Sequence, residues 1–275
     1  MNNQFSLLRA FLLLRKNCKE NGSSYILMFL AGLGILFLSY GILIVASFHT
    51  MFPSGDRKMI FAIGLFMGGS LFSSSFYGFF KSEVKTIQFL LLPATTGEKL
   101  LVGFLLTQVF YLIIYLGIFT GIDWLMCATY NEFVAIPNWV IEQEKQYYHA
   151  QPLVQSNTLL FKEMVIFFFI ITSIAHLGSL SFIRNAYVKT AIIFVISFMG
   201  LIFLNNKMLV LLISEEIMPH GKYFTDSFRL GPQQQPTGIV TLPENWKKNI
   251  SWFLPLFIYA SCWVMSYYKL KEKQI

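Results

Sequence analysis

Residues 25–48 read Tyr-Ile-Leu-Met-Phe-Leu-Ala-Gly-Leu-Gly-Ile-Leu-Phe-Leu-Ser-Tyr-Gly-Ile-Leu-Ile-Val-Ala-Ser-Phe, 24 residues without a charge. A bilayer's hydrocarbon core, about 30 Å thick, needs roughly 20 helical residues at about 1.5 Å each. The stretch therefore predicts a membrane-spanning helix. It is also too long for the roughly 7–15-residue apolar core of a signal peptide, and no small-x-small cleavage site follows it. A retained first span is expected.

Five further stretches read the same way. Residues 59–80 and 100–122 carry no charge, and 159–182 carries Lys162 and Glu163 near one end. Residues 187–205 start beside Lys189, whose long side chain can snorkel to the interface. Residues 250–268 close the set, with Trp246, Trp252, Tyr267 and Tyr268 near its ends as interfacial anchors. The expected fold is an all-α integral membrane protein with six transmembrane helices, residues 25–275 forming the transmembrane domain. Composition agrees. Charged residues are 13% of the chain, against roughly 25% in an ordinary soluble domain. Such a composition excludes a disordered chain, a nucleic-acid binder and most cytosolic enzymes. The net charge of +7 is then topological, with Lys and Arg flanking the apolar segments.

Those charges predict orientation. Residues 1–24 carry Arg9, Arg15, Lys16 and Lys19, and the loop 81–99 carries Lys81, Lys85 and Lys99. Arg184 and Lys189 flank the fourth connection, and Lys269, Lys271 and Lys273 lie in the tail. The other side carries fewer Lys and Arg, spread over long loops whose charges count less. Both termini are therefore expected in the cytoplasm, with the protein in the cytoplasmic (inner) membrane. Two long loops face outward, 123–158 and 206–249. Within the second, the apolar piece 208–214 follows Asn205, Asn206 and Lys207, and a helix break is expected at those polar residues.

Residues 1–24 form a separate feature. Arg9, Lys16 and Lys19 fall together on a helical wheel, most leucines and Phe11 fall elsewhere, and Arg15 lands among the apolar residues. The expectation is a basic interfacial helix lying on the inner membrane face.

No catalytic constellation is present. Gly97-Glu98-Lys99 fails as a phosphate-binding loop, because Leu92 stands at the first glycine position and Leu100 replaces Ser/Thr. His-Glu-x-x-His, Gly-x-Ser-x-Gly and Cys-x-x-Cys are missing. No catalytic, metal-binding or cofactor-binding residue is expected. His176 is the one histidine well inside a span, near Ser173 and Ser179. Intramembrane ionisable groups are functional candidates, though a buried neutral histidine is also a good packing partner. Gly64 and Gly68 form a Gly-x-x-x-Gly pair in the second span, and Gly117 and Gly121 repeat it in the third. Such faces let helices approach closely, either within one chain or between subunits. Ser73 and Ser74 on the second span, with His176, are candidates for a translocation path.

The loop 81–99 reads Lys-Ser-Glu-Val-Lys-Thr-Ile-Gln-Phe-Leu-Leu-Leu-Pro-Ala-Thr-Thr-Gly-Glu-Lys. Thr95 or Thr96 can cap the helix that Glu98 begins. The run Leu92-Pro93-Ala94-Thr95, followed by Glu98-Lys99, resembles the cytoplasmic loop of ABC-2-type transporter permeases. The six-span layout and the basic N-terminal helix are similar too. The resemblance implies a cytoplasmic coupling helix within 81–99 that docks on a separate ATPase subunit. Ile87, Phe89, Leu90 and Leu91, with Pro93, would meet the ATPase, and Glu83, Glu98 and Lys99 would supply rim charges. It further implies a second permease subunit, identical or not, a re-entrant piece at 208–214, ATP held by the partner, and an exporter. The loop 123–158 is longer than such permeases usually show. Two rival classes stand beside this reading: a membrane scaffold, sensor or assembly factor using its outer loops, and a membrane-integral enzyme. For the latter, the outer cluster Glu215, Glu216, His220 and Asp226 matches no known spacing.

Overall fold

A computed structural model describes residues 5–47, 52–133, 149–153, 158–212, 227–230, 238–241 and 244–273. Its membrane-spanning part is entirely helical. Helix α1 runs Leu7–Ala46 and α2 Ser54–Ser75, the latter with a π-helical turn at Gly64–Gly68. A short helix, α3, spans Glu83–Leu90. Helix α4 runs Thr96–Phe133 with a π-helical turn at Leu105–Phe110. Helices α5 and α6 span Thr158–Ser181 and Ala186–Leu212, and α7 spans Glu244–Glu272. Within the loop 206–249, strands β1 (Ser227–Leu230) and β2 (Gly238–Thr241) pair antiparallel, Ser227 facing Thr241.

Among the described residues, five helices are long and apolar enough to cross a membrane: α1, α2, α4, residues Glu163–Ser181 of α5 and residues Ala186–Leu204 of α6. They correspond to the first five expected spans. The sixth expected span, 250–268, falls inside α7, which is 29 residues long. It contains Pro255.

Three expected boundaries are corrected. The proposed division at 24/25 is absent, because α1 is one continuous helix of 40 residues. Side chains stitch its turns together across that point: Tyr25 donates its hydroxyl to Asn17 Oδ1 at 2.6 Å, and Asn21 donates to the same oxygen at 3.1 Å. At about 1.5 Å per residue α1 is roughly 60 Å long, twice the hydrocarbon thickness. The break expected at Asn205, Asn206 and Lys207 is likewise absent, since α6 continues to Leu212. No Gly or Pro follows within α6 after Gly200 to stop it, and Lys207 lies 5.8 Å over the Phe203 ring one turn back. Residues 213–214 of the expected re-entrant piece lie outside the described residues, as do Glu215, Glu216, His220 and Asp226. Finally, α4 does not end at Asp123 but runs ten residues beyond it to Phe133.

The helices bury two apolar clusters, one toward each end of the bundle. One centres on Tyr40, Phe61, Leu65, Tyr115, Phe119 and Tyr130. The other joins Leu13, Tyr77, Phe80, Leu100, Leu180 and Leu270. The second cluster gathers α1, the α2–α4 connection, the end of α5 and the end of α7. The four segments expected on one side therefore share one end of the bundle. The turn from α5 to α6 there is tight: Asn185 adopts a left-handed φ of 52°, which asparagine tolerates better than most residues. Just inside it, Gly178 lies so close to Thr190 that a side chain would collide.

Candidate functional site

The expected coupling segment is organised by two consecutive residues. Glu98 is fully buried at the start of α4. Its Oε2 accepts from the backbone N–H of Thr95 at 2.8 Å, while the Thr95 hydroxyl accepts from the Glu98 N–H at 3.3 Å, completing a capping box. Its Oε1 accepts from the Ser6 backbone N–H at 2.7 Å and from Arg9 Nη2 at 2.9 Å. One carboxylate thus holds the first turns of both α1 and α4. The negative charge suits both helix N-termini.

Lys99 does the complementary task. Its ammonium donates to the Leu90 carbonyl at the C-terminus of α3, at 3.1 Å, and lies 5.2 Å over the Phe89 ring. A cation suits a helix C-terminus. Glu98 and Lys99 together bind α1, α3 and α4 into one unit. The expected role of Glu98 and Lys99 as rim charges is corrected, since their side chains are enclosed and spent on these bonds, while Glu83 is exposed.

The apolar residues of α3 divide by face. Phe89 turns inward, its ring 4.6 Å from Phe79 and 6.1 Å from Phe80, and Leu90 is half-buried against the same cluster. Val84 and Ile87 are exposed, and so are Leu91 and Pro93 just beyond the helix. Lys273 packs its ammonium 4.1 Å over the Phe80 ring, and burial together with nearby Lys269 holds its pKa below the usual lysine value.

At the opposite end stands a charged pair that sequence reasoning missed. Arg57 on α2 and Asp123 on α4 are both buried, with Arg57 Nη1 donating to Asp123 Oδ1 at 3.1 Å. The Tyr40 hydroxyl donates to the same oxygen at 2.8 Å, and the Leu153 N–H donates to Oδ2 at 2.7 Å. Arg57 Nη1 also donates to Cys127 Sγ and to the Gln151 carbonyl. This network neutralises Asp123, which is why α4 passes through it rather than stopping there. The available signal was an acid at one span's edge and an arginine beginning the neighbouring one, since buried charges need partners.

Gly64 and Gly68 face α4 of the same chain. A side chain on Gly64 would collide with the Tyr115 hydroxyl, and one on Gly68 with the Tyr111 hydroxyl. Both tyrosines use those hydroxyls: Tyr111 donates to the Gly64 carbonyl at 2.9 Å and Tyr115 to the Phe61 carbonyl at 2.8 Å. These carbonyls sit at the π-helical turn, where the regular ladder is disturbed. The second Gly-x-x-x-Gly pair differs, since Gly117 and Gly121 have nothing within 4 Å of an added Cβ.

Ser73 on α2 and His176 on α5 are both fully buried, and Ser74 is buried beside Ser73. Ser73 donates to the Thr172 carbonyl at 2.8 Å. The His176 ring is enclosed by Trp263 at 4.7 Å, Tyr77 at 5.0 Å and Phe76 at 6.1 Å between ring centres. Neither ring nitrogen has a hydrogen-bond partner among the described residues. Among those residues no three His, Cys, Asp or Glu side chains gather as metal ligands.

Comparison with protein-family models, curated proteins and solved structures found no match for this chain.

Proposed function

We propose that this chain is the membrane subunit of an ATP-driven transporter of the ABC-2 permease type, energised by a separate ATPase. In this reading α7 is the sixth span, both termini are cytoplasmic, the membrane is the inner one, and a second permease subunit completes the translocation unit. Export is the direction implied by the sequence resemblance.

The observation that carries the proposal is the construction of α3. It is a two-turn helix at the end of the bundle that holds α1, the α5–α6 turn and the end of α7. Phe89 and Lys99 fix its inner face, Glu98 fixes the helices beside it, and Val84, Ile87 and Leu91 stay exposed. A rigidly mounted helix presenting apolar anchors matches the way helices dock into grooves. Motion of an ATPase gripping it would pass into α4 through Lys99 and on to α1 through Glu98, and the spans would shift between two packings.

The test is copurification of a Walker-motif ATPase produced in the same cell, with Ile87→Asp as the probe. Ile87 is exposed, so the variant inserts normally. Loss of the ATPase from Ile87→Asp supports docking through α3. Its retention rejects this assignment, and the scaffold reading then leads.

A further inference from the structure

Most buried polar side chains in the bundle are saturated. Thr107 donates to the Gly103 carbonyl, Thr172 to Phe168, Ser173 to Phe169, and Ser266 to Cys262. Among the described residues, the buried side-chain atoms without a partner are Arg57 Nε at the far end and, on the helices around His176, Trp263 Nε1 and four more. Both nitrogens of His176, the hydroxyl of Tyr77 and Nε2 of Gln108 are buried without a partner among the described residues. His176 and Gln108 are completely enclosed and Tyr77 nearly so, at 1% exposure.

The unpartnered atoms of His176 and Tyr77 converge on one junction. A methyl group placed on Gly103 would stand 2.7 Å from His176 Nε2 and 3.4 Å from the Tyr77 hydroxyl oxygen. Both groups therefore reach the same bare stretch of α4. One turn further along α4, Gln108 accepts from the Tyr259 hydroxyl of α7 at 2.9 Å, leaving its own N–H donors directed elsewhere. Trp263, one turn along α7 from Tyr259, covers the His176 ring. The junction joins the segment after α2 with α4, α5 and α7.

A neutral imidazole offers one donor and one acceptor, a phenol both, and a carboxamide nitrogen two donors. Enclosing all three without partners is costly. Water supplies matching donors and acceptors and is small enough for interior polar sites. We propose that this junction is a water-binding site inside the membrane-spanning bundle, held by His176, Tyr77 and Gln108. It is the place where the bundle interior hydrates when its helices part. Its use as part of a path for a hydrogen-bonding solute rests on the transport reading, whereas hydration does not. Ser73 is not part of the site, because its hydroxyl is already bonded to Thr172.

The experiment uses the full chain in reconstituted bilayers. Cys18→Ser, Cys127→Ser and Cys262→Ala clear the native thiols. Single cysteines then replace His176, Tyr77, Phe119 and Phe168, all of them enclosed. Each change opens similar space, so the two phenylalanine positions control for cavities made by the substitution. A charged methanethiosulfonate is expected to react at 176 and 77 at least tenfold faster than at 119 and 168. Equal, slow rates at all four positions overturn the proposal. Rates at 176 that are fast but unaffected by ATP and the ATPase support hydration and count against the transport reading alone. The unsubstituted protein gives an independent readout through nitrogen-15 histidine spectra, with His176→Gln assigning the signal. Magnetisation transfer from water to the His176 ring is expected, and its absence overturns the site.

Discussion

Arg9 on α1 and Glu98 on α4 lie 89 positions apart in the chain, and Nη2 of the first stands 2.9 Å from Oε1 of the second. The pair is unequal. The Glu98 side chain is fully enclosed, whereas that of Arg9 is one-third exposed, at 33%. Glu98 also holds the backbone of Ser6 and of Thr95. Removing Glu98 therefore strands several donors, and removing Arg9 loses one solvent-screened partner. Glu98→Ala is expected to cost about 2 kcal/mol or more, and Arg9→Ala about 1 kcal/mol or less. Thermal unfolding of the two variants in detergent checks the ranking. An Arg9→Ala loss as large as that of Glu98→Ala would contradict it.

The two Gly-x-x-x-Gly pairs make a matched contrast. Gly68→Leu drives a branched side chain into Tyr111, while Gly117→Leu enters open space. Overpacking typically costs about 1–3 kcal/mol. Gly68→Leu should lower membrane accumulation and melting temperature, and Gly117→Leu should leave both near the parent. Equal effects of the two would mean that the α2–α4 contact is placed wrongly.

Breaking the buried pair at the far end is expected to be severe. Asp123→Asn leaves Arg57 enclosed without its counter-charge, a change that usually costs about 3–5 kcal/mol. Replacing both, as Arg57→Met with Asp123→Leu, removes the stranded charge and should recover part of the loss. Unfolding of the single and double variants in detergent measures this. A double variant less stable than both singles would show that the pair is more than a mutually neutralising lock.

Thiol accessibility separates topology from burial. Cys18 is exposed on α1, and Cys127 is enclosed with its sulfur 3.0 Å from Arg57 Nη1. With the N-terminus in the cytoplasm, an impermeant thiol reagent should miss Cys18 in intact cells and label it in inside-out vesicles. Cys127 should resist labelling from either side until the protein is denatured. Labelling of Cys18 in intact cells would reverse the orientation.

The positions of five of the six expected spans were legible because hydropathy measures what a bilayer selects. Their ends were less so. Polar residues at 21–24 and 205–207 interrupt an apolar run without interrupting a helix, since neither stretch contains proline and side chains such as Asn17 and Tyr25 bond along the helix. Asp123 looked like a loop boundary because its partner, Arg57, lies 66 positions away. A cap at Thr95 or Thr96 was readable from local spacing, whereas the choice of Thr95 and the reciprocal bond from Glu98 were not. The inward turn of Phe89 was not, because a helix of eight residues has apolar side chains on both faces and only tertiary contacts choose between them. The hydrogen-bonding junction was visible as His176 and not as Tyr77 or Gln108, because no local pattern links three helices.

Phe89 and Ile87 consequently have different roles. Phe89→Ala should loosen α3 from Phe79 and Lys99, lowering the stability of the subunit itself. Ile87→Asp should leave the subunit stable and affect only what docks on it. The most direct measurement of the central claim uses proteoliposomes containing the purified subunit and its candidate ATPase, with ATP hydrolysis followed over time. The account predicts that the parent subunit stimulates hydrolysis, and that the Val84→Asp, Ile87→Asp double variant, equally inserted, does so at least tenfold less. Equal stimulation by parent and variant, or none by either, would contradict it.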